Sequence, residues 1–457
     1  MNPLPYRPLY CVWELTLACN LRCGHCGSSA GKPRDSELST DEALDAVSQL
    51  ADLECRLITL SGGEPTLRPD WEAIARAAIA RGVVVNMVTN GTTMTESLAA
   101  RIADSGLANV AVSLDGPEAL HDENRGAGTF RRSARALELL GTRKVPTAVL
   151  THLDVRSAAR LEEIHDLAVD LGAAAFRVQL GKPMGELALR RERVIQPRDL
   201  LDLLPRIARL KKRSSIRVDV GDSIGYYGPH ERTLRTKGWG GMRNLWTGCQ
   251  AGRFAIGIES GGGIKGCLSL QGGLNGVEDR DPFREGSLRE RRLADLWFDP
   301  TAFAFNRCEG TDHLTGECAR CGHAAICRGG AKCVSSAFTG ALSEDPYCFT
   351  RVAQLEGRAR SLPRRQTAAA AAVVGLGLIT NVSCSADYGI EPPPECRAAC
   401  DAGVAPDAAD PCANACPEYG VMPLPDAGVA PDAGDPCADV CCDCDYGIPP
   451  PPECCDD

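Results

Sequence analysis

Aromatic side chains, an apolar leader at the start and positive charge toward the end are all scarce in this sequence. Aromatics make up 5% of its 457 residues, with 7 His and 6 Met. The opening stretch MNPLPYRPLYCVWELTLAC has no charged segment followed by an apolar run. That excludes a secretory signal peptide and makes the cytoplasm the expected compartment. Basic clusters such as Lys211, Lys212 and Arg213 lack interleaved aromatics, so solvated helix ends are expected there and no nucleic-acid partner is. From Cys384 onward a single Arg stands against sixteen Asp and Glu. That segment is at −15 while the whole chain is at −10, so the remainder carries +5. An acidic tail on a mildly basic body has the charge asymmetry of an interaction segment.

Cysteine, by contrast, is abundant. Of 24 residues, thirteen precede Ser383 and eleven lie from Cys384 onward. Clustered cysteines on a long enzyme-like body point to metal ligation in a reducing compartment rather than to a disulfide scaffold.

Between Val12 and Gly181, short apolar runs alternate with amphipathic stretches. VWELTLAC, RLITLSGG, VVVNMVTNG, NVAVSLDG, VPTAVLTH and AFRVQLG each read as a buried strand ending in a turn. Helices are predicted from a capping box at Ser39 to Glu42, after Pro69, and over 96–105, 130–141 and 158–171. Six strand–helix units predict an α/β fold with a partial (β/α)6 barrel of the TIM type. In such a fold chemistry gathers at the C-terminal ends of the strands. A further helix over 197–212 and a strand IRVDVG follow. From Cys249 to Cys348, Gly and Cys replace long periodic segments, as in a small domain organised by metal. The expected division is 1–215 barrel, 216–355 Cys-rich domain, 356–383 linker and leader-like segment, and 384–457 tail. The tail repeats DYGIEPPPEC and DYGIPPPPEC, and DAGVAPDAADPC and DAGVAPDAGDPC. It lacks the apolar surface to offset its ordering entropy, so disorder is expected.

In ACNLRCGHCGSS, Cys19, Cys23 and Cys26 form C-x3-C-x2-C just after the first strand. Three thiolates on one loop can hold three irons of a [4Fe–4S] cluster and leave the fourth open. A zinc site with His25 as fourth ligand is the alternative. This spacing, with His before the third Cys, resembles the radical S-adenosylmethionine (radical SAM) family. SGGEP ends the second strand, TNG the third and SLDG the fourth, as in that family. The resemblance runs from about Val12 to Cys348. It implies that a reduced cluster cleaves S-adenosylmethionine to methionine and a 5′-deoxyadenosyl radical, which abstracts hydrogen from an unactivated carbon. It also implies an external electron donor such as flavodoxin or ferredoxin. Cofactor contacts are then expected at Gly62, Gly63, Glu64, Pro65, Asn90, Ser113 and Asp115. Without Cβ atoms the two glycines allow a close ligand approach, and Glu64 is placed to pair with a ligand amine. No single residue announces itself as a general base.

The second cysteine series is Cys249, a glycine at 262, Cys267, then Cys318-x2-Cys321-x5-Cys327-x5-Cys333 and Cys348. It is similar to the SPASM domain, whose two auxiliary [4Fe–4S] clusters serve radical enzymes that act on peptides. That family has x3 where CRGGAKC has x5, which sets Cys333 apart. The resemblance assigns Cys249, Cys267 and Cys333 to an inner cluster. It assigns Cys318, Cys321, Cys327 and Cys348 to an outer one. The fourth inner position is open, or is filled by Cys308 or by substrate. A zinc ribbon is the alternative for 318–333. Cys11 and Cys55 read as buried structural thiols.

RRQTAAAAAVVGLGLITNVSCSADYGIEPPPEC resembles an export leader, and three readings apply. As a membrane anchor, the uncharged 366–386 is barely the ~20 residues needed and weakly apolar. As a lipoprotein leader it lacks the Leu expected before Cys384. As a fused substrate, Thr367–Ser383 is a leader and Cys384–Asp457 a Cys-rich core. CRAAC, CANAC and CADVC then supply C-x3-C targets like those of thioether-forming maturases. With the cluster loop so near the start, no N-terminal peptide-recognition domain is expected. A tethered substrate needs less docking, because a linker raises its effective concentration to roughly millimolar. The expected enzyme is a radical peptide maturase acting on a Cys-rich peptide, in cis or in trans. Alternatives are oxidation of a separate protein to formylglycine, an iron–sulfur electron-transfer protein, or a tail that is only a Pro-rich linker.

Overall fold

The computed structural model describes residues 6–221, 224–235, 246–271, 281–308 and 310–357. The leader-like segment at 366–386 and the tail from 384, expected to be disordered, lie outside them.

The first half alternates as its apolar runs require. Strands β1 (Tyr10–Thr16), β2 (Leu57–Gly62), β3 (Val84–Thr89), β4 (Asn109–Ser113), β5 (Thr147–Leu153) and β6 (Ala175–Leu180) are the six expected ones. All of β4, NVAVS, is buried, the pattern of a parallel strand covered on both faces. Among the helices, α1 (Thr40–Asp52) opens with the Ser39–Glu42 capping box and buries Ala43, Ala46, Val47 and Leu50 along one stripe. Next, α2 (Trp71–Ala80) follows Pro69, and α3 (Glu96–Ser105) stops at Gly106, whose φ of 85° suits only a residue without Cβ. Then come α4 (Glu118–Arg125) and α5 (Thr129–Thr142). The helix expected over 158–171 is two, α6 (Val155–Ala159) and α7 (Leu161–Asp170), because Arg160 between them leaves helical geometry at φ −108° and ψ 22°. Helix α8 (Leu200–Arg213) ends in Lys211, Lys212 and Arg213, where cations complement the helix dipole.

The sheet does not stop at six strands. β7 (Arg217–Val220) pairs in parallel with β6. On the other side β8 (Ala255–Ile258) pairs in parallel with β1, and β9 (Gly263–Lys265) and β10 (Arg284–Ser287) follow antiparallel. The order β10-β9-β8-β1-β2-β3-β4-β5-β6-β7 leaves β10 and β7 as its ends, so the barrel is open.

The Cys-rich part is built from short pieces. These are α9 (Glu231–Arg235), α10 (Leu293–Trp297), α11 (Ala304–Arg307), α12 (Gly316–Ala319), α13 (Ala324–Cys327), α14 (Lys332–Thr339) and α15 (Phe349–Leu355). It nevertheless shares one apolar core with the barrel. Trp297, Phe303, Val334 and Tyr347 are fully buried in the cluster that includes Trp13, Met87 and Phe176. Metal is therefore not its sole organiser, contrary to expectation. Among the described residues no helix is long and apolar enough to cross a membrane.

Candidate functional site

The loop after β1 is fastened to the ends of β2 and β3. Cys19 N–H donates to the Gly31 carbonyl, Gly31 N–H to Leu17, Gly63 N–H to Thr16 and Glu64 N–H to Ala18. A Cβ on Gly62 would lie 2.4 Å from the Thr16 carbonyl oxygen, and one on Gly63 2.1 Å from that of Ala18. The close approach these glycines permit is therefore to the protein's own cysteine loop. Gly62 also borders the cavity described below.

Glu64 is turned inward. Fully buried, it accepts hydrogen bonds from Thr66 Oγ1 (2.6 Å), Thr89 Oγ1 (2.8 Å) and the Asn90 N–H (2.8 Å). Burial pushes its carboxyl up against these donors. The side chain expected to meet a ligand amine instead welds the GGEP turn to the TNG turn, and Pro65 opens the short 3-10 turn that it caps. Asn90 reaches across to the cysteine loop, donating to Asn20 Oδ1 at 2.9 Å with Cys19 Sγ at 3.9 Å.

At the end of β4, Ser113 is buried at the strand terminus and Asp115 is wholly buried. Asp115 holds Arg125 Nε at 2.6 Å, accepts from the His152 N–H at 3.1 Å and lies 3.5 Å from His25 Nε2. Burial opposes its charge, but the Arg125 guanidinium keeps its carboxyl well below the usual range. His25 stacks on His152 with ring centroids 4.3 Å apart, and burial holds it neutral. Its Nε2 faces Asp115 and Arg125, while its Nδ1 is buried without a partner.

The thiols fall into three groups. Cys19, Cys23 and Cys26 lie within electrostatic range of one another, and burial pushes Cys23 up to about 11. Cys249, Cys267 and Cys333 form a second group, with Lys182 Nζ 3.6 Å from Cys333 Sγ. Cys318, Cys321, Cys327 and Cys348 form a third. Cys308 is exposed, 3.9 Å from His313 Nδ1, and is absent from the inner set's mutual contacts. Cys11 and Cys55 are buried; Cys55 bonds the Leu57 carbonyl. Among the described residues, no three His, Cys, Asp or Glu side chains converge tightly enough for a single metal ion. Soft sulfur ligands gathered in threes and fours, with no single-ion geometry among the described residues, fit an iron–sulfur cluster better than one zinc.

One cavity of about 810 Å³ joins the first two groups. Its lining includes Cys26, Gly62 and His152 and also Cys249, Cys267 and Cys333. Glu14, inside the first strand's apolar run, anchors its wall by bonding Arg34 at 2.8 Å and Ser260 Oγ at 2.8 Å.

Sequence reasoning missed Arg125, His152 and Lys182. Lys182 follows β6 directly, and its position at a barrel strand's C-terminal end was the available signal. Arg125 carries none, since its partners lie ten and a hundred residues away.

The family model for the Radical SAM superfamily matches residues 13–168. An AdoMet-dependent heme synthase of Methanosarcina barkeri is 29% identical over 353 residues, covering 75% of this chain and 97% of that protein. A mycofactocin maturase, MftC of Mycobacterium ulcerans, is 33% identical over 351 residues, covering 75% of this chain and 88% of that one. The solved structure of Streptococcus suis SuiB bound to S-adenosylmethionine has the same fold. Its TM-score is 0.58 at 18% identity, over 75% of this chain and 76% of that one.

Proposed function

This chain belongs to the radical SAM superfamily, and on that premise we propose that it is a peptide maturase whose substrate is a Cys-rich peptide, its own tail included. When bound at Cys19, Cys23 and Cys26, a four-iron cluster supplies the electron that splits S-adenosylmethionine into methionine and a 5′-deoxyadenosyl radical. The protein's part is to place that chemistry. The bonded glycines at 62 and 63 fix the cysteine loop against β2, and Glu64 and Asn90 hold the two neighbouring turns. Asp115 and Arg125 keep His25 packed below the loop. Ser61 and Gly62 border the cavity, and Pro65 and Ser113 would complete the cofactor's surroundings behind them. Cys249, Cys267 and Cys333 would hold an inner auxiliary cluster, and Cys318, Cys321, Cys327 and Cys348 an outer one. A flavodoxin or ferredoxin would be the electron source.

The observation that carries this reading is the single cavity running from Cys26 to the inner thiols. A peptide in it would present a C–H bond at one end and a thiol at the other. The tail's C-x3-C repeats at 396–400, 412–416 and 437–441 suit that span, and its −15 charge suits a body of +5. The bond proposed is a thioether, which removes two hydrogens, about 2 Da per link.

The test expresses the chain with and without Cys19, Cys23 and Cys26, reduces it, alkylates it and weighs the tail. The unaltered chain should yield tails lighter by about 2 Da per link with repeat cysteines that resist alkylation. Disulfides would be reopened by the reductant. Equal alkylation in both, while S-adenosylmethionine is demonstrably cleaved, would reject the fused substrate. The heme synthase relative supports a second reading, a tetrapyrrole-type substrate. In that case cleavage would respond to such a compound and not to the presence of the tail.

A further inference from the structure

Lys182 is a long cation at the end of β6, inside the barrel, yet its ammonium stands 3.6 Å from Cys333 Sγ in the Cys-rich part. It borders the same cavity as Cys249, Cys267 and Cys333. Its ammonium lies within range of the sulfurs of Cys333, Cys267 and Cys249. No thiol of the outer quartet is among its main influences. That quartet has neighbours of both signs: Cys327 lies within range of Lys332 and Arg328, and Asp345 acts on Cys333 as well. Cys318 lies within range of Glu344 and Asp345, and Cys348 within range of Asp345. Asp345 is buried and accepts from Tyr226 Oη at 2.6 Å and the Ala331 N–H at 2.9 Å. What sets the inner group apart is the buried ammonium held against its Cys333 sulfur.

We propose that Lys182 is a positioning residue that, by its charge and its hydrogen bond to Cys333, raises the reduction potential of the inner cluster. This inference rests on the ligand assignment proposed above. Net charge and hydrogen bonds to sulfur are among the determinants of cluster potential. A positive charge against a ligand sulfur stabilises the reduced, more negative state, and the effect is strong where water is excluded. The inner group is also the one that faces the cavity, so Lys182 acts on the cluster nearest the substrate. It does so from the barrel, tying the radical-generating half to the auxiliary half by a contact 151 residues apart in sequence.

The test uses the full chain purified anaerobically, with iron counted and each cluster's midpoint followed by electron paramagnetic resonance during a redox titration. Lys182→Met should keep about twelve irons, move one midpoint to a more negative value and leave the other two in place. Lys182→Arg, which keeps the charge, should restore most of that midpoint. If Lys182→Met sheds four irons while Lys182→Arg keeps both iron and midpoint, the charge is again what matters. Unchanged midpoints in an iron-replete Lys182→Met protein overturn the proposal, as does iron loss in both variants, which would mark a packing role. An unaltered chain holding only about eight irons would instead remove the inner cluster itself, and the proposal with it.

Discussion

The loop of Cys19, Cys23 and Cys26 and the region of Cys249 to Cys348 hold thiols in different ways. The first is clamped to the end of β2 by backbone bonds, with two glycines admitting the contact, and to the end of β3 by the Asn90–Asn20 side-chain bond. The second spreads its thiols over four-residue helices α12 and α13, the start of α14 and the entry to α15. A barrel of parallel strands supplies its own ladder of hydrogen bonds. Helices of four residues cannot, since nucleation costs more than so few bonds return. The cysteine loop should therefore keep its shape without metal. The Cys318–Cys348 segment should need metal, although the apolar core beneath it holds Trp297, Phe303 and Tyr347.

The sharpest way to break that comparison is to remove ligands from each side. Replacing Cys318, Cys321 and Cys327 by Ala should strip hydrogen-exchange protection from residues 316–348 while β2 to β5 stay protected. The same loss of protection on replacing Cys19, Cys23 and Cys26 would refute the difference.

Within the barrel, Glu64→Leu should cost about 3 kcal/mol, because Thr66, Thr89 and the Asn90 N–H lose a buried acceptor together. Chemical denaturation of the metal-free chain measures it. A cost below 1 kcal/mol would mean that the turns hold without this weld.

A smaller effect belongs to Asp122, which accepts from the Gly128 N–H at 2.6 Å and the Phe130 N–H at 2.8 Å at the start of α5. Burial works slightly against it, but these bonds leave its carboxyl below the usual range. A depressed carboxyl stabilises the fold above its unfolded value and loses that contribution as pH falls through and below about 4. Asp122→Asn should thus cost about 1 kcal/mol at pH 7 and progressively less in acid. Thermal melts across pH decide it.

The smallest effect concerns the tail. Attraction between acidic tail and basic body is screened within about 8 Å at physiological ionic strength. Tail modification should therefore slow modestly as salt is raised, in a time course of alkylation-resistant cysteine. Faster modification at high salt would contradict the charge match.

Much of this was legible in the residues, for a physical reason. Strands β1 to β6 announce themselves because a buried parallel strand is an apolar run, and all but β5 end near a Gly or Asn. The Ser39–Glu42 cap was legible because it is local. The break at Arg160 was not, since nothing in 158–171 interrupts the apolar period. Cysteine spacing foretold which thiols meet, but not which way Glu64 faces. That depends on Thr66, Thr89 and Asn90 coming together in three dimensions. The Asp115–Arg125–His25 mesh and the Lys182–Cys333 contact were likewise hidden, because their partners are joined by the fold and not by spacing.

The central claim is a division of labour, with the barrel loop starting the radical and the auxiliary thiols completing the product. One reaction tests it, scored at once for 5′-deoxyadenosine and for the mass of the reduced, alkylated tail. With Cys19, Cys23 and Cys26 replaced by Ala, both products should vanish. With Cys318, Cys321 and Cys327 replaced, 5′-deoxyadenosine should still form while the tail keeps its unmodified mass. Modified tail from the second variant, or 5′-deoxyadenosine from the first, would contradict the account.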